Sequence, residues 1–505
     1  MISLRPYQKD AVDKLSDYNN VLIADEMGLG KTVTAVELDK VRRSQCDLAK
    51  ARENGFDRNL KTLVVAPLTG VVDSWVSHFN TWNPDLSVVR INPKKRDQFI
   101  ESVWNDEADV FVCHWEGLRL MPELADEIWA HVIADEVHKA KNRKAKQTKA
   151  LKSIKRVKFK SGLTGTPMVN DPSELWSILH WLYNDKKTQV GFFGEDAKYL
   201  SSYWRFYNTF VDYFVIQPYG YHKILGPKNE SKLMNMVEPF YIRREKKEAL
   251  PDLPDKVYST YKVDLTANQQ KQYNQMAREM IAWLDSGQPL VAPVVIAQLQ
   301  RLQQFAIATP ELSTVTHEEE TEDTIKTWTT SKVTALTKPS SKLDMLVEII
   351  SDTNKQVVVF SQFTMMIELV YKELTDKGFN AVQLTGKTPQ NKRTEIIRHF
   401  QSTAEGSQYY DPELAKTAPQ VFLANIKAGG TGIDLFASDT VIFLDRDWSP
   451  ANNSQAEDRL HRSGQKNSVQ IIDIIAKGTV DLGRKQKLDK KASWIKSVLS
   501  GGEQE

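Results

Sequence analysis

The sequence predicts an α/β fold built from two tandem units, each a mostly parallel sheet covered by helices. Three observations carry that prediction. Short apolar runs alternate with amphipathic helical stretches in the first third of the chain and again after Ser341, the rhythm of strand–helix–strand units. The stretch Val21–Thr32, VLIADEMGLGKT, joins an apolar strand to a glycine turn, a lysine and a threonine. The stretch His131–Glu136, HVIADE, ends an apolar strand in two adjacent acids, at the end of the strand where ligands collect in open parallel sheets.

At 505 residues the chain exceeds one ordinary hydrophobic core, so two to four domains are expected. A net charge of +2 gives no bulk attraction to a polyanion, so local charge has to be read instead. Two cysteines, Cys46 and Cys113, exclude a structural zinc site built on cysteines and a disulfide framework, and suit a reducing compartment. No apolar run approaches the roughly 20 residues that cross a bilayer. The opening MISLRPYQKDAV lacks the apolar core of a signal peptide. The expectation is a cytosolic or nuclear-type compartment and no membrane partner.

Taken in order, Leu4–Leu15 reads as a short helix just before the glycine turn, from which Arg5 and Gln8 could reach an adenine edge or a phosphate; a solvated N-terminal helix is the equal alternative. Gly28 and Gly30 permit a tight turn whose backbone N–H groups approach phosphates. Lys31 then lies against the β- and γ-phosphates and the Thr32 hydroxyl on Mg²⁺. The strict phosphate-loop pattern has glycine where this chain has Asp25. The helix that follows presents its N-terminus to the phosphates. Thr62–Ala66 is a strand, and VVDSWVSHFNTW is an amphipathic helix with Trp75 and Phe79 in the core. Asp109–Cys113 is a further strand. In HVIADE, Asp135 is placed to hold Mg²⁺ opposite Thr32, and Glu136 to orient or deprotonate the attacking water.

Lys139–Lys160 is dense in Lys and Arg and holds no acid. It reads as a surface for a phosphate backbone, with Lys141 and Arg143 nearest the acids; a solvated helix face is the bland alternative. Thr164 and Thr166, in FKSGLTGTPMV, are relays between the acids and a bound strand, or plain turn formers. Leu175–Tyr221 is aromatic-rich at helical spacing and reads as packed helices. Val237–Asp252 carries a basic cluster with Arg243 and Arg244, then runs into prolines that mark an inter-domain passage.

Gln269–Ala308 reads as long helices, and Thr309–Lys332, rich in Thr and Glu, as a mobile surface loop. The second unit has strands at Gln356–Phe360, Val382–Leu384, Gln420–Ala424 and Thr440–Leu444, with Gln401–Ala418 a loop. It has no lysine-bearing phosphate loop and so no catalytic nucleotide of its own. Its glycine cluster, which includes Gly430, suggests close backbone approach to a ligand or duplex. Arg459 and Arg462, three apart in SQAEDRLHRSGQ, suit charge stabilisation at a γ-phosphate; a salt-bridged surface helix is the alternative. Arg484–Lys496 reads as a solvated basic tail, with contact to backbone phosphates the alternative. The resulting partition is 1–245, an ATP-binding lobe with a helical protrusion; 246–340, a linker and helical insertion; and 341–505, a second lobe.

The order of these segments resembles the Swi/Snf-type branch of superfamily-two helicases, which are double-stranded DNA translocases. LRPYQKDAV resembles the family's adenine-recognition segment and DEMGLGKT its motif I, Asp25 included. LVVAPLTGVVDSW, ADEVHKAKN and SGLTGTPMVNDPSELWSIL resemble motifs Ia, II and III. VVVFSQF, Asn425–Leu435 and SQAEDRLHRSGQ resemble motifs IV, V and VI, and Arg243, Arg244 and LPDLPDK the segment joining the lobes. The departures are Val137, where Ala is commoner, Asn425-Ile426-Lys427 in motif V, and Ser463 in motif VI.

The resemblance implies two tandem RecA-like lobes with helical insertions, with ATP and Mg²⁺ between them and duplex DNA across both. Lys31, Thr32, Asp135 and Glu136 would serve hydrolysis, with Arg459 and Arg462 as finger arginines. Lys141, Arg143, Thr166, Ser361, Gln362, Lys427, Gly430 and Thr431 are the DNA-contact candidates. The expected activity is a DNA-dependent ATPase, monomeric, moving on double-stranded or forked DNA without processive strand separation. A strand-separating or RNA-acting helicase and an ATP-switched protein scaffold are the alternatives. The compact form, with no accessory domain, is similar to viral, bacterial or stripped-down members.

Overall fold

Short runs of β-branched residues bounded by turn residues become the buried strands of two sheets. The computed structural model describes residues 3–46, 60–67, 69–91, 95–168, 171–183, 186–217, 220–285, 292–321, 324–426 and 433–487. They divide into two units between Asp252 and Leu253.

The first unit is built on β1 (Asn20–Ile23), β2 (Thr62–Ala66), β3 (Val88–Arg90), β4 (Val110–His114), β5 (Trp129–Asp135) and β6 (Val157–Leu163). A separate ribbon follows, β7 (Val211–Ile216) and β8 (Tyr221–Pro227), and then β9 (Tyr241–Ile242). The large sheet runs β3-β4-β2-β5-β6-β1-β9, and every pairing is parallel. Helices bury both faces, which explains why its strands are continuous apolar runs rather than alternating ones. Leu22, Val65, Phe111 and Trp129 face one core, while Val21, Ile23, Val64, Trp75 and Phe79 face the other. The order places the ends of β5, β6 and β1 side by side, and these ends carry the acids, the Thr164–Thr166 turn and the glycine turn.

The second unit contains β10 (Lys256–Val263), β11 (Thr309–Thr321), β12 (Thr324–Thr337), β13 (Val357–Ser361), β14 (Ala381–Leu384), β15 (Val421–Asn425), β16 (Thr440–Phe443) and β17 (Val469–Ala476). Its sheet, β10-β17-β16-β13-β15-β14, is again parallel throughout. Cores on its two faces gather Leu346, Val359, Leu423 and Ile442 on one side, and Phe360, Phe400, Phe422 and Ile471 on the other. Among the described residues no helix is long and apolar enough to cross a membrane.

Three expectations are corrected. Thr309–Lys332 is not an irregular loop: β11 and β12 pair antiparallel from Thr309↔Thr337 to Thr321↔Thr324. Threonine is polar yet β-branched, and its restricted χ1 favours extended backbone. Val211–Ile216, read within a helical stretch, pairs with β8 instead; its Val, Tyr, Phe and Ile suit a strand as well as a helix face. The basic tail is not solvated from its start. Residues 480–487 are helical, and Arg484 is buried 5.5 Å from the Trp448 ring and 3.6 Å from Asp481. The remainder of that stretch, from residue 488, lies outside the described residues.

Candidate active site

The glycine turn leaves β1 and feeds the helix Lys31–Ser44. Gly28 and Gly30 sit at φ +87° and +73°, a region open to glycine at little steric cost. A Cβ on Gly30 would stand 2.5 Å from Gln8 Nε2, so the loop is packed against the N-terminal helix Pro6–Leu15. Gln8 is buried there. Its amide donates to the Leu29 and Gly30 carbonyls at 3.3 Å each and accepts from the Arg5 N–H at 3.0 Å. The Tyr7 hydroxyl donates to Leu29 O at 3.1 Å. Lys31 Nζ donates back into its own loop, to Asp25 O at 2.8 Å and Glu26 O at 3.2 Å.

Asp25, where the strict pattern has glycine, is fully buried and paired with Arg244, whose Nε lies 2.9 Å from Oδ1 and whose NH2 donates to Oδ2. Arg244 also lies 5.0 Å over the Tyr7 ring and donates to Tyr7 O. The sequence marks Arg244 as part of a basic cluster and of the segment that resembles the join between lobes; its place beside the phosphate loop depends on β9 pairing with β1.

Asp135 ends β5 and is held from three sides. The Trp75 indole N–H donates to Oδ2 at 3.0 Å, the Glu136 N–H to Oδ1 at 2.8 Å, and the Trp115 indole N–H to its carbonyl at 2.9 Å. Burial, and then the neighbouring Glu136 charge, push the Asp135 carboxyl up to about 6, against the Trp75 N–H and the Lys31 charge. Trp75 belongs to the core, as its spacing predicts, and also orients an acid, which its spacing does not announce. Glu136 adopts φ +49°, an uncommon conformation for a residue with a side chain. His138 Nδ1 lies 3.1 Å from Glu136 Oε2 and 3.0 Å from Thr164 Oγ1, and the Thr166 N–H donates to that same hydroxyl at 3.1 Å. His138 therefore joins the acids to the turn after β6. A Cβ on Gly165 would lie 3.5 Å from Lys31 Nζ, which closes the ring of β1, β6 and β5 ends around one place.

The basic stretch 139–160 is less open than its composition suggests. Lys139 donates to Pro67 O at 2.6 Å, Lys141 pairs with Glu174 at 3.1 Å, and Arg143 lies 4.4 Å over the Tyr203 ring. Lys160 is buried on the Trp181 and Leu182 carbonyls. Lys144, Lys146, Lys149, Lys155, Arg156 and Lys158 are exposed. Thr166 Oγ1 is buried, which removes that hydroxyl from a surface contact.

In the second unit, Ser361 is corrected as a DNA-contact candidate. It is fully buried and its hydroxyl donates to Asp445, because it closes β13 inside the sheet. Gln362 is half-buried; its N–H faces the Asp445 carboxylate at 3.2 Å, and Asn425 Nδ2 donates to its carbonyl at 2.6 Å. Lys427, Gly430 and Thr431 lie outside the described residues. Arg459 is buried, with NH1 donating to Ile433 O at 3.3 Å, and Arg462 pairs with Asp434. Both arginines thus rest on the chain just after the glycine cluster.

The first-unit residues fit a nucleoside triphosphate with Mg²⁺. The two left-handed glycines, an ammonium at the helix start and a hydroxyl beside it make a phosphate cradle. Thr32 and Asp135 offer the hard oxygen ligands Mg²⁺ takes, the remainder coming from phosphate and water.

A family model described as the SNF2-related domain matches residues 7–338, and one described as the helicase conserved C-terminal domain matches residues 341–464. The nuclear protein STH1/NPS1 of Saccharomyces cerevisiae is 28% identical over 506 residues, covering 95% of this chain and 33% of that protein. A probable ATP-dependent DNA helicase of Arabidopsis thaliana, CHR23, is 26% identical over 516 residues, covering 99% of this chain and 43% of that protein. The chain therefore spans less than half the length of these curated relatives. Among solved structures, the SWI2/SNF2 ATPase core of Sulfolobus solfataricus in complex with dsDNA is 23% identical, with 99% of this chain and 94% of that chain covered and a TM-score of 0.40.

Proposed function

The chain belongs to the SNF2-related family, and from that premise we propose that it is a DNA-dependent ATPase that moves along double-stranded or forked DNA without processive strand separation. The observation that carries the reading is the convergence of Lys31, Asp135 and Glu136 at the adjoining ends of β1, β6 and β5. Bound ATP supplies the phosphoanhydride to be cleaved, and Mg²⁺ neutralises charge on its phosphates. Lys31 trades its loop carbonyls for phosphate oxygens. Thr32 and Asp135 hold the metal. Glu136 orients or deprotonates the attacking water. Arg5 and Gln8 are assigned to an adenine edge or a phosphate. Arg459 and Arg462 are assigned to the charge that develops on the transferred phosphoryl group.

DNA as the track is supported by relatives named as a transcription regulatory protein and a probable DNA helicase, and its duplex form is what the family resemblance implies. The exposed cations of the 139–160 stretch, with Gln362, Lys427, Gly430 and Thr431, supply its contacts, which grip the backbone rather than read sequence. A cytosolic or nuclear-type compartment suits the two buried free thiols. The test is ATP turnover by the purified chain with blunt duplex, forked DNA, single-stranded DNA or RNA duplex, at one ionic strength. Stimulation by duplex and fork beyond single strand and RNA is expected. A rate that ignores nucleic acid sinks the translocase reading, and strand displacement on matched duplexes sinks its non-separating part.

A further inference from the structure

The nucleotide-site reading leaves one buried ion pair unused. The phosphate loop is clasped by two segments remote in sequence. On one side stands the N-terminal helix, through Tyr7 and Gln8. On the other runs the chain at 241–249. There the Ala24 N–H donates to Ile242 O at 2.7 Å, the Glu26 N–H to Arg244 O at 3.0 Å, and the Lys246 N–H to Glu26 Oε2 at 2.7 Å. Arg243 donates to Ala24 O at 3.2 Å. The pairing of Asp25 with Arg244 stands at the centre of this clasp, and Arg244 reaches the opposite side as well, over the Tyr7 ring.

The residues gripped by 241–249 are the residues that answer to Lys31. Its ammonium rests on the carbonyls of Asp25 and Glu26. When it turns to a phosphate, those two peptides lose donors. The side chains of the same two residues hold Arg244 and the Lys246 N–H. A glycine at position 25, as in the strict pattern, has no side chain with which to make this link.

We propose that Arg244 is a positioning residue of the nucleotide site: through its two-point pairing with Asp25 and its seat on Tyr7 it sets the phosphate-loop backbone, and through the same pairing nucleotide occupancy is read by residues 241–249. This rests on the nucleotide-site reading. An arginine suits the place because its planar fork meets both carboxylate oxygens while its face covers an aromatic ring, which lysine cannot do. Residues 241–249 are also the chain that runs on, in sequence, into the second unit at Leu253. The segment that reports the nucleotide is therefore the one that leaves the unit holding it.

The experiment uses the full chain and N-methylanthraniloyl-ADP with Mg²⁺ as the probe. Its Kd, the KM and kcat for ATP with duplex DNA, and hydrogen–deuterium exchange of residues 241–249 with and without ADP–Mg²⁺ are measured for wild type, Asp25→Asn, Arg244→Ala, the double variant and Arg244→Lys. Wild type should bind the probe and gain protection at 241–249 when it does. Asp25→Asn and Arg244→Ala should each raise Kd and KM about tenfold to a hundredfold with kcat within threefold, and lose the nucleotide-dependent protection. The double variant should be no worse than the worse single one. Arg244→Lys, which keeps the charge and the fold, should lose three- to tenfold in affinity.

Additive losses, or folded Arg244 variants with wild-type affinity and wild-type protection, overturn the proposal while the nucleotide site stands. Failure of the wild type to bind the probe overturns the nucleotide site itself.

Discussion

At the scale of single residues, chemistry and position separate cleanly in Lys31 and Trp75. Lys31 is the cation of the phosphate loop, and its ammonium rests on the Asp25 and Glu26 carbonyls. Lys31→Ala should lower ATP turnover by at least about a hundredfold, the scale on which removal of one preorganised donor acts. Duplex binding, measured by fluorescence anisotropy, should remain near wild type. Trp75 acts at one remove. Its ring fills the core, and its indole N–H donates to Asp135 Oδ2 at 3.0 Å. Trp75→Phe keeps most of the ring and deletes the donor. A hydrogen bond to a charged group contributes about 1.5–3 kcal/mol, so turnover should fall roughly tenfold to a hundredfold. The Mg²⁺ concentration for half-maximal nucleotide binding should rise. Unchanged Mg²⁺ dependence in a folded Trp75→Phe would remove Trp75 from the site.

At the scale of elements, the question is how the Lys31 helix, β5 and β6 keep their ends in register. Part of the answer lies at the far end of the helix. Arg42 is fully buried and donates to Ser161 Oγ at 2.8 Å and Tyr18 O at 3.0 Å, with NH1 2.7 Å from His131 Nε2. Arg42 can only donate, so Nε2 accepts, and the Nδ1–H of His131 donates to Asp39 Oδ1 at 2.7 Å. One cluster thus ties the helix to β5 through His131 and to β6 through Ser161. Burial, and then the Arg42 charge, push the His131 imidazole down to about 4. A folded-state value below the unfolded one means that the unfolded chain binds the extra proton between pH 6.5 and 4. Stability from this group is present above pH 6.5 and is lost as pH falls towards 4. From pH 7 to pH 5 that loss is about 2 kcal/mol. Urea titrations followed by tryptophan fluorescence should show it in wild type, and a flatter profile in His131→Gln.

This cluster also shows how far the sequence could be read. The strands and the Lys31 helix are legible because apolar period and glycine chemistry are local signals. Arg42, His131 and Ser161 give no such signal, since their meeting depends on the strand order β5-β6-β1. Arg244 and Trp75 are hidden for the same reason: each reaches its partner from a segment remote in sequence. The β11–β12 ribbon was hidden differently, by a threonine-rich composition that suits a polar loop and an extended strand alike.

At the scale of the molecule, two parallel sheets carry unequal equipment. The first holds the ammonium and the acids. The second holds Arg459 and Arg462 but no lysine-bearing phosphate loop. One nucleotide per chain is therefore expected, and calorimetric titration with an ATP analogue should give a stoichiometry of about one. The two arginines are not idle within their own unit: Arg462 is paired with Asp434, and Arg459 holds the Ile433 carbonyl. A half-exposed ion pair of this kind contributes about 1 kcal/mol or less, small beside the transition-state charge that the proposed finger role would have Arg462 meet. Arg462→Ala should then leave nucleotide affinity and duplex affinity within about threefold, while turnover falls by about a thousandfold, the lower end of what a finger arginine supplies. Normal turnover in this variant would confine Arg462 to its pairing with Asp434.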